Sequence, residues 1–224
     1  MELNTVGIVG TVAAAPQPYH NIYGHKNIYA LWVDTTRDSG TVDRILVLFQ
    51  EQSIDAASFQ ALPGEDFDAG ALAALITEGS TIEVTGQLQT YKYNGTGRTQ
   101  LFVWGVYMAA APKDCAQLNT VYMQGAIAKA PKYRETPLGK RITDISVRVR
   151  SIFSEGFYSY IPCITWEAMA NRAALLEEDA TVYLEGRLQS RQYIKETPEG
   201  TQQLTTWEVS INRLNTGENQ DNGN

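Results

Sequence analysis

TVYLEGRLQSRQY at 181–193 decides the fold, because it answers TIEVTGQLQTYKY at 81–93. At an offset of 100 the pairs Gly86/Gly186, Leu88/Leu188, Gln89/Gln189 and Tyr93/Tyr193 match. In the later copy Val182, Leu184, Gly186 and Leu188 fall on one face. Glu185, Arg187, Gln189, Arg191 and Tyr193 fall on the other, which is the period-two pattern of a half-buried strand. ITDISVRVR behaves alike, turning Ile145, Val147 and Val149 inward and Arg148 and Arg150 outward.

Working outward, residues 4–24 match 119–139 at an offset of 115, through Asn4/Asn119, Thr5/Thr120, Val6/Val121, Gly10/Gly125, Ala13/Ala128, Ala15/Ala130, Pro16/Pro131 and Gly24/Gly139. Two matched blocks in the same order imply duplicated domains of about a hundred residues rather than a short-period solenoid. The expected organisation is a domain over 1–110, a linker over 111–118 that takes in most of AAAPKDCAQ, a second domain over 119–214 and a flexible tail over 215–224. Turn residues stand where hairpins need them, at Asn94-Gly95, Thr136-Pro137-Leu138-Gly139 and Pro198-Glu199-Gly200. Each copy offers one helical stretch between its third and fourth strands. The first is Ala69 to Glu78, with Asp68 as N-cap and Gly79 past its end, and the second is Glu167 to Leu176. The fold expected is all-β, two tandem five-stranded Greek-key OB barrels, each with one helix between strands 3 and 4.

Composition narrows the function. With 43% hydrophobic and 19% charged residues the chain is globular. No apolar run reaches the roughly 20 residues that cross a bilayer, and MELNTVGIVG lacks the basic start of a secretory signal, so a cytoplasmic location is expected. Cys115 and Cys163 have no metal-ligand spacing, and Cys163 in IPCI reads as a small buried hydrophobe. His20 and His25, in HNIYGHK, read as a solvated loop pair, and no phosphate-binding loop or nucleophile framework occurs. No catalytic residue, metal or cofactor is expected. The net charge of −7 opposes a nucleic-acid partner, but it is unevenly spread. Residues 1–118 hold 6 Lys/Arg against 12 Asp/Glu, while 119–214 hold 12 against 11. Seven cations crowd into 129–150, against Glu135 and Asp144 alone, and local field governs phosphate contact.

NTVYMQG, PKYRETPLGKRITD, YIPCITWEAMANRA, LEGRLQSRQY and TTWEVSINRL, in that order, resemble bacterial single-stranded DNA-binding proteins, particularly the tandem-OB form of Firmicutes. The resemblance spans most of 119–214; NTVGIVG and GQLQTYKY look like the divergent N-terminal half of the same family. It implies sequence-independent binding of single-stranded DNA in replication, recombination or repair. It also implies a homodimer presenting four OB folds. The family's acidic tail with an apolar tip is not matched by GENQDNGN, which puts partner recruitment through the tail in doubt. The first copy has Arg44 and Gln50 near the places of the third strand's aromatic pair.

Such binding needs cations that follow phosphates and flat faces on which bases stack. The resemblance puts stacking aromatics at Tyr160 and Trp166 on the third strand and at Tyr193 on the fourth. By alternation alone, Tyr193 shares its face with Arg187 and Arg191. Arg134, Lys140, Arg141, Arg148 and Arg150 are the further phosphate candidates. Trp166 could equally be core, Tyr193 a solvated strand end, and each cation an ordinary surface charge. Phe153, Phe157 and Tyr158 lie in a loop-strand transition without an assigned role. Tyr91 and Tyr93 on the first copy, and Trp207 on the last strand, are weaker candidates, and outer-face packing is the plain reading of Trp207. The first copy keeps aromatics but few cations, so it is expected to bind weakly or to serve in assembly. The rival reading is an OB-fold interaction or assembly scaffold that binds protein and no nucleic acid.

Overall fold

The alternating stretches become β4 (Thr81–Lys92) and β10 (Thr181–Thr197) in a computed structural model. It describes residues 3–59, 72–92, 99–136, 138–197 and 200–217, without the side chains of Tyr193, Ile194, Lys195 and Thr197. Around β4 lie β1 (Asn4–Tyr19), β2 (Ile28–Thr36), β3 (Val42–Phe49) and β5 (Thr99–Ala110). Around β10 lie β6 (Leu118–Ile127), β7 (Lys132–Glu135), β8 (Arg141–Arg150), β9 (Tyr158–Trp166), helix α1 (Glu167–Ala173) and β11 (Gly200–Thr216).

The chain is all-β with OB-type barrel closure. In the N-terminal half β1 pairs with β2 and β4, β2 with β3, and β4 with β5, while β3 runs parallel to β5 and closes the circuit. In the C-terminal half the pairs β6–β8, β8–β9, β6–β10 and β10–β11, with parallel β9–β11, trace the same route. Antiparallel pairing of β1 with β6, from Asn4↔Met123 to Val9↔Leu118, joins the halves into one 11-stranded sheet. The inward residues form one continuous core, from Val6, Ile8, Val33 and Val47 through Val121 and Met123 to Val147, Cys163 and Val209. Among the described residues no helix is long and apolar enough to cross a membrane.

The repeated residues do repeated work. Asn4 donates from Nδ2 to the Leu88 carbonyl and accepts the Leu88 amide, at 2.9 and 3.0 Å. Asn119 does the same for Leu188, at 2.8 and 2.9 Å. Each Asn thus satisfies both backbone groups of the fourth strand where the ladder would leave them unpaired. Gly86 and Gly186 sit at β-bulges, and a Cβ on either would overlap the carbonyl oxygen of Trp104 or Ser210. Of the matched residues, the asparagines therefore tie the first strand of each half to the fourth, and the glycines let the last strand close against the fourth.

Three expectations change. The C-terminal half has six strands rather than five, because Lys132–Glu135 folds back on β8 as β7, with Glu135↔Arg141 and Lys132↔Asp144 in register. Its helix ends at Ala173, and single turns carry Leu175 and Leu176 on to Arg172 and Ala173. In the N-terminal half the described part of the expected helix is a 3-10 turn, Ala73–Leu75; Asp68 and residues 69–71 lie outside the described set. Asn94-Gly95, Pro137 and Pro198-Glu199 also lie outside it. The Thr136–Lys140 turn is closed by Gly139 donating to the Thr136 carbonyl at 2.8 Å.

Candidate nucleic-acid interface

Parallel pairing of Val47 with Val103 and of Cys163 with Val209 sets the two third strands in register. Arg44 then corresponds to Tyr160, Leu46 to Pro162 and Gln50 to Trp166, as the sequence suggested for the two polar residues. What lies over these strands differs between the halves.

On β9, Tyr158, Tyr160, Pro162 and Trp166 face outward and are exposed. On β8 the cross-strand partners of Tyr158 and Tyr160 are Arg150 and Arg148. The Arg148 guanidinium lies 5.7 Å from the centre of the Tyr158 ring, a cation–π distance. The Trp166 indole is 37% exposed and is held by a 3.3 Å hydrogen bond from Nε1 to Ser210 Oγ. Arg141 pairs with Glu167 beside it, at 3.3 Å. Lys140 is exposed in the β7–β8 turn.

A cleft of about 1330 Å³ runs beside this face, between the two halves of the chain. The C-terminal half lines it with Tyr158, Tyr160, Trp207 and the cations Lys129, Lys132, Arg134 and Arg191. The facing wall is N-terminal and includes Tyr23, Thr90, Lys92 and Gln100. Five Lys/Arg against Asp144 and Glu208 make the cleft cationic in a chain whose net charge is −7. Of the residues that line the cleft, Lys129, Lys132, Lys92 and Tyr23 were not singled out as contacts from the sequence. The interleaved Lys132-Tyr133-Arg134 was the available signal, and β7 exposes all three.

The cations are mostly engaged. Arg134 makes a two-pronged bond to Asp144, at 2.7 and 3.1 Å, and this hydrogen bond raises its pKa. Arg148 reaches Asp179 at 2.7 Å and Arg191 reaches Glu208 at 3.5 Å. The Arg134–Asp144 and Arg148–Asp179 pairs are exposed and stabilise by only about 0–1 kcal/mol each, so a phosphate could replace either carboxylate at little cost. Buried Glu208 also accepts Gln189 Nε2 at 2.9 Å. Cys163 lies at the base of the cleft, where burial pushes its thiol pKa up and keeps it neutral.

The remaining candidates are placed differently. Arg187 is half-buried against the N-terminal half, where burial and the nearby Arg37 charge lower its pKa. Trp207, at the cleft edge, donates from Nε1 to the Arg44 carbonyl at 2.7 Å and packs on Trp32, with ring centres 5.8 Å apart. The Tyr193 side chain and the whole of Tyr93 lie outside the described set. Tyr91 packs with His20 and Tyr23, at 5.3 and 5.6 Å between ring centres.

The matching face of the N-terminal half is shut. Ile22, Ile28, Leu46, Leu48 and Phe102 form a second apolar cluster outside the barrel core, each no more than 4% exposed. Tyr19, Trp104 and Phe153 pack against it, Phe153 arriving from the C-terminal half. Its ring meets Trp104 edge-on at 5.0 Å and His25 at 5.2 Å. His25 is thus half-buried among aromatics rather than solvated, which corrects the sequence expectation. Exposing five such side chains would cost on the order of 10 kcal/mol.

Residues 118–216 match the model of the single-strand binding protein family. Single-stranded DNA-binding proteins 1 and 2 of Staphylococcus aureus are each 31% identical over 113 residues, covering 47% of this chain and 66% of the relative, just under two thirds. The wild-type single-stranded DNA binding protein of Thermus aquaticus superposes with a TM-score of 0.65 at 19% identity, covering 96% of this chain and 93% of that one. A deletion variant of the same protein gives 0.64 over similar lengths. At that identity the likeness concerns the fold.

Proposed function

We propose that this chain, whose residues 118–216 match the single-strand binding protein family, is a member of that family and binds single-stranded DNA irrespective of sequence, without catalysis, in the cytoplasm. One observation carries the reading: a single cleft combines Tyr158 and Tyr160 with Lys129, Lys132, Arg134 and Arg191. Stacking on an aromatic face contributes about 1–3 kcal/mol per base and accepts every base. The cations track phosphates. Tyr160, Trp166 and Tyr193 are the stacking rings, and Arg134, Lys140, Arg141, Arg148, Arg150 and Arg191 carry phosphate contacts. Arg187 contributes through the field behind the fourth strand. Replication, recombination and repair are the processes that expose such strands.

The two circuits of strands support a reading as tandem OB barrels over 1–110 and 119–214. The outward side of the β1–β6 seam supports a homodimer. Leu3, Leu118 and Tyr122 are each 43% exposed there, an apolar strip suited to a second copy of the same seam. Light scattering at micromolar concentration is expected to give twice the chain mass, and a monomer would remove the dimer.

The function is tested by titrating the four tryptophans with oligothymidine at low salt. Quenching is expected as bases approach Trp166 and Trp207, with log affinity falling by about 0.7 per phosphate neutralised as log salt rises. Equal affinity for duplex DNA, or no binding, would overturn the reading in favour of a protein-binding scaffold.

A further inference from the structure

The chain repeats its barrel strands, which invites the idea of two equivalent grooves per chain. The side chains do not supply two. The outer face of β3 and β5 is occupied by Leu46, Leu48 and Phe102 beneath Ile22 and Ile28. At the register positions of Leu46 and Phe102 the C-terminal half carries exposed Pro162 and the cleft residue Glu208. At the position of Tyr19, which packs onto the closed cluster, it carries Arg134, exposed on β7.

What the N-terminal half does offer is a wall. Tyr23, 52% exposed, stands on the same turn that covers its own face, and it reaches the edge of the cleft. Lys92 is exposed at the end of β4 and, among the described residues, has no ion pair. Phe153 fixes the β8–β9 connection against Tyr23, Trp104 and His25, which holds this wall to the C-terminal barrel.

We propose that each chain holds one segment of single strand in one composite cleft. The C-terminal barrel grips the segment, and Tyr23 and Lys92 of the N-terminal half guide it as it leaves. The N-terminal half binds no segment in a groove of its own. This rests on the single-strand reading above.

The test uses the full chain and oligothymidines of about 8 nucleotides, within the roughly 4–16 that one OB fold holds, and of about 30, well beyond it. Titration at tight-binding concentration is expected to saturate at one short oligonucleotide per chain. Lys92→Glu is expected to weaken the long strand about five- to tenfold and to leave the short one within about twofold, since one phosphate contact is reversed. Thermal melting checks that the variant is folded. Two short oligonucleotides per chain, or equal effects of Lys92→Glu on both lengths, would overturn the composite cleft while leaving single-strand binding intact. No binding of either length would remove both.

Discussion

Arg44 and Leu46 on β3 hold the register positions of Tyr160 and Pro162 on β9, yet one pair is drawn into the molecule's own contacts and the other faces open space. Arg44 is tied by both guanidinium arms to Asp34 at 2.8 Å, and Leu46 is sealed under the Tyr19–Ile28 hairpin. Tyr160 and Pro162 stand exposed beside Arg148 and Ser146. The same backbone circuit therefore supports a self-filled face and an open one. Filling buries apolar area in the N-terminal half. Opening leaves stacking surface exposed, beside arginines such as Arg134 and Arg148 that are held by exposed carboxylates. The open face is the one equipped to take a ligand.

The halves also clasp each other through matched positions of different chemistry. Asp43 of β3 accepts the Ser190 amide of β10 at 2.8 Å while holding Arg37. Its register counterpart Ser159 accepts the Thr90 amide of β4 at 3.0 Å and donates to Gln89 at 2.9 Å. One clasp is a buried charge and the other a neutral hydroxyl. Removing one partner of a buried pair costs about 3 kcal/mol, against about 1 kcal/mol for an ordinary hydrogen bond. Urea unfolding is therefore expected to show Asp43→Ala far more destabilising than Ser159→Ala. Equal losses would mean that Arg37 and Ser190 find water when Asp43 is gone, and that the clasps are equivalent.

The sequence made much of this legible, and the boundary is physical. Period-two alternation located β4, β8 and β10, because each has one face on the core. The offsets of 100 and 115 named residues that fix the fourth strand, Asn4 and Asn119 from the first strand and Gly86 and Gly186 against the last, since all four are constrained by their own half. Arg187 shares the Arg191 side of β10 by alternation, as read from the chain. That the face is covered there by Arg37 and Asp43 depends on a partner roughly 150 positions away in the chain, to which a period is blind. The His20–His25 turn looked solvated for the same reason: Phe153, which packs on His25, comes from the other half. β7 was hidden because Lys132–Glu135 is exposed on both faces and leaves no apolar alternation.

The smallest expected effect sharpens the contrast most. Each half binds an arginine two-pronged to an aspartate, Arg44 to Asp34 and Arg134 to Asp144, and both pairs are exposed enough to be worth little in stability. Only Arg134 and Asp144 line the cleft. Asp144→Asn removes a negative charge from the path of the strand and releases Arg134 for phosphate. Affinity for oligothymidine is expected to rise about three- to fivefold at low salt, with a steeper salt dependence. Asp34→Asn releases a cation just as completely, but over the closed face, and is expected to leave affinity within about twofold. Only if the ligand is held in the cleft do the two substitutions differ, because their effects on net charge are the same. Equal tightening by both would mean that the whole-chain charge sets the affinity rather than the local field between the halves.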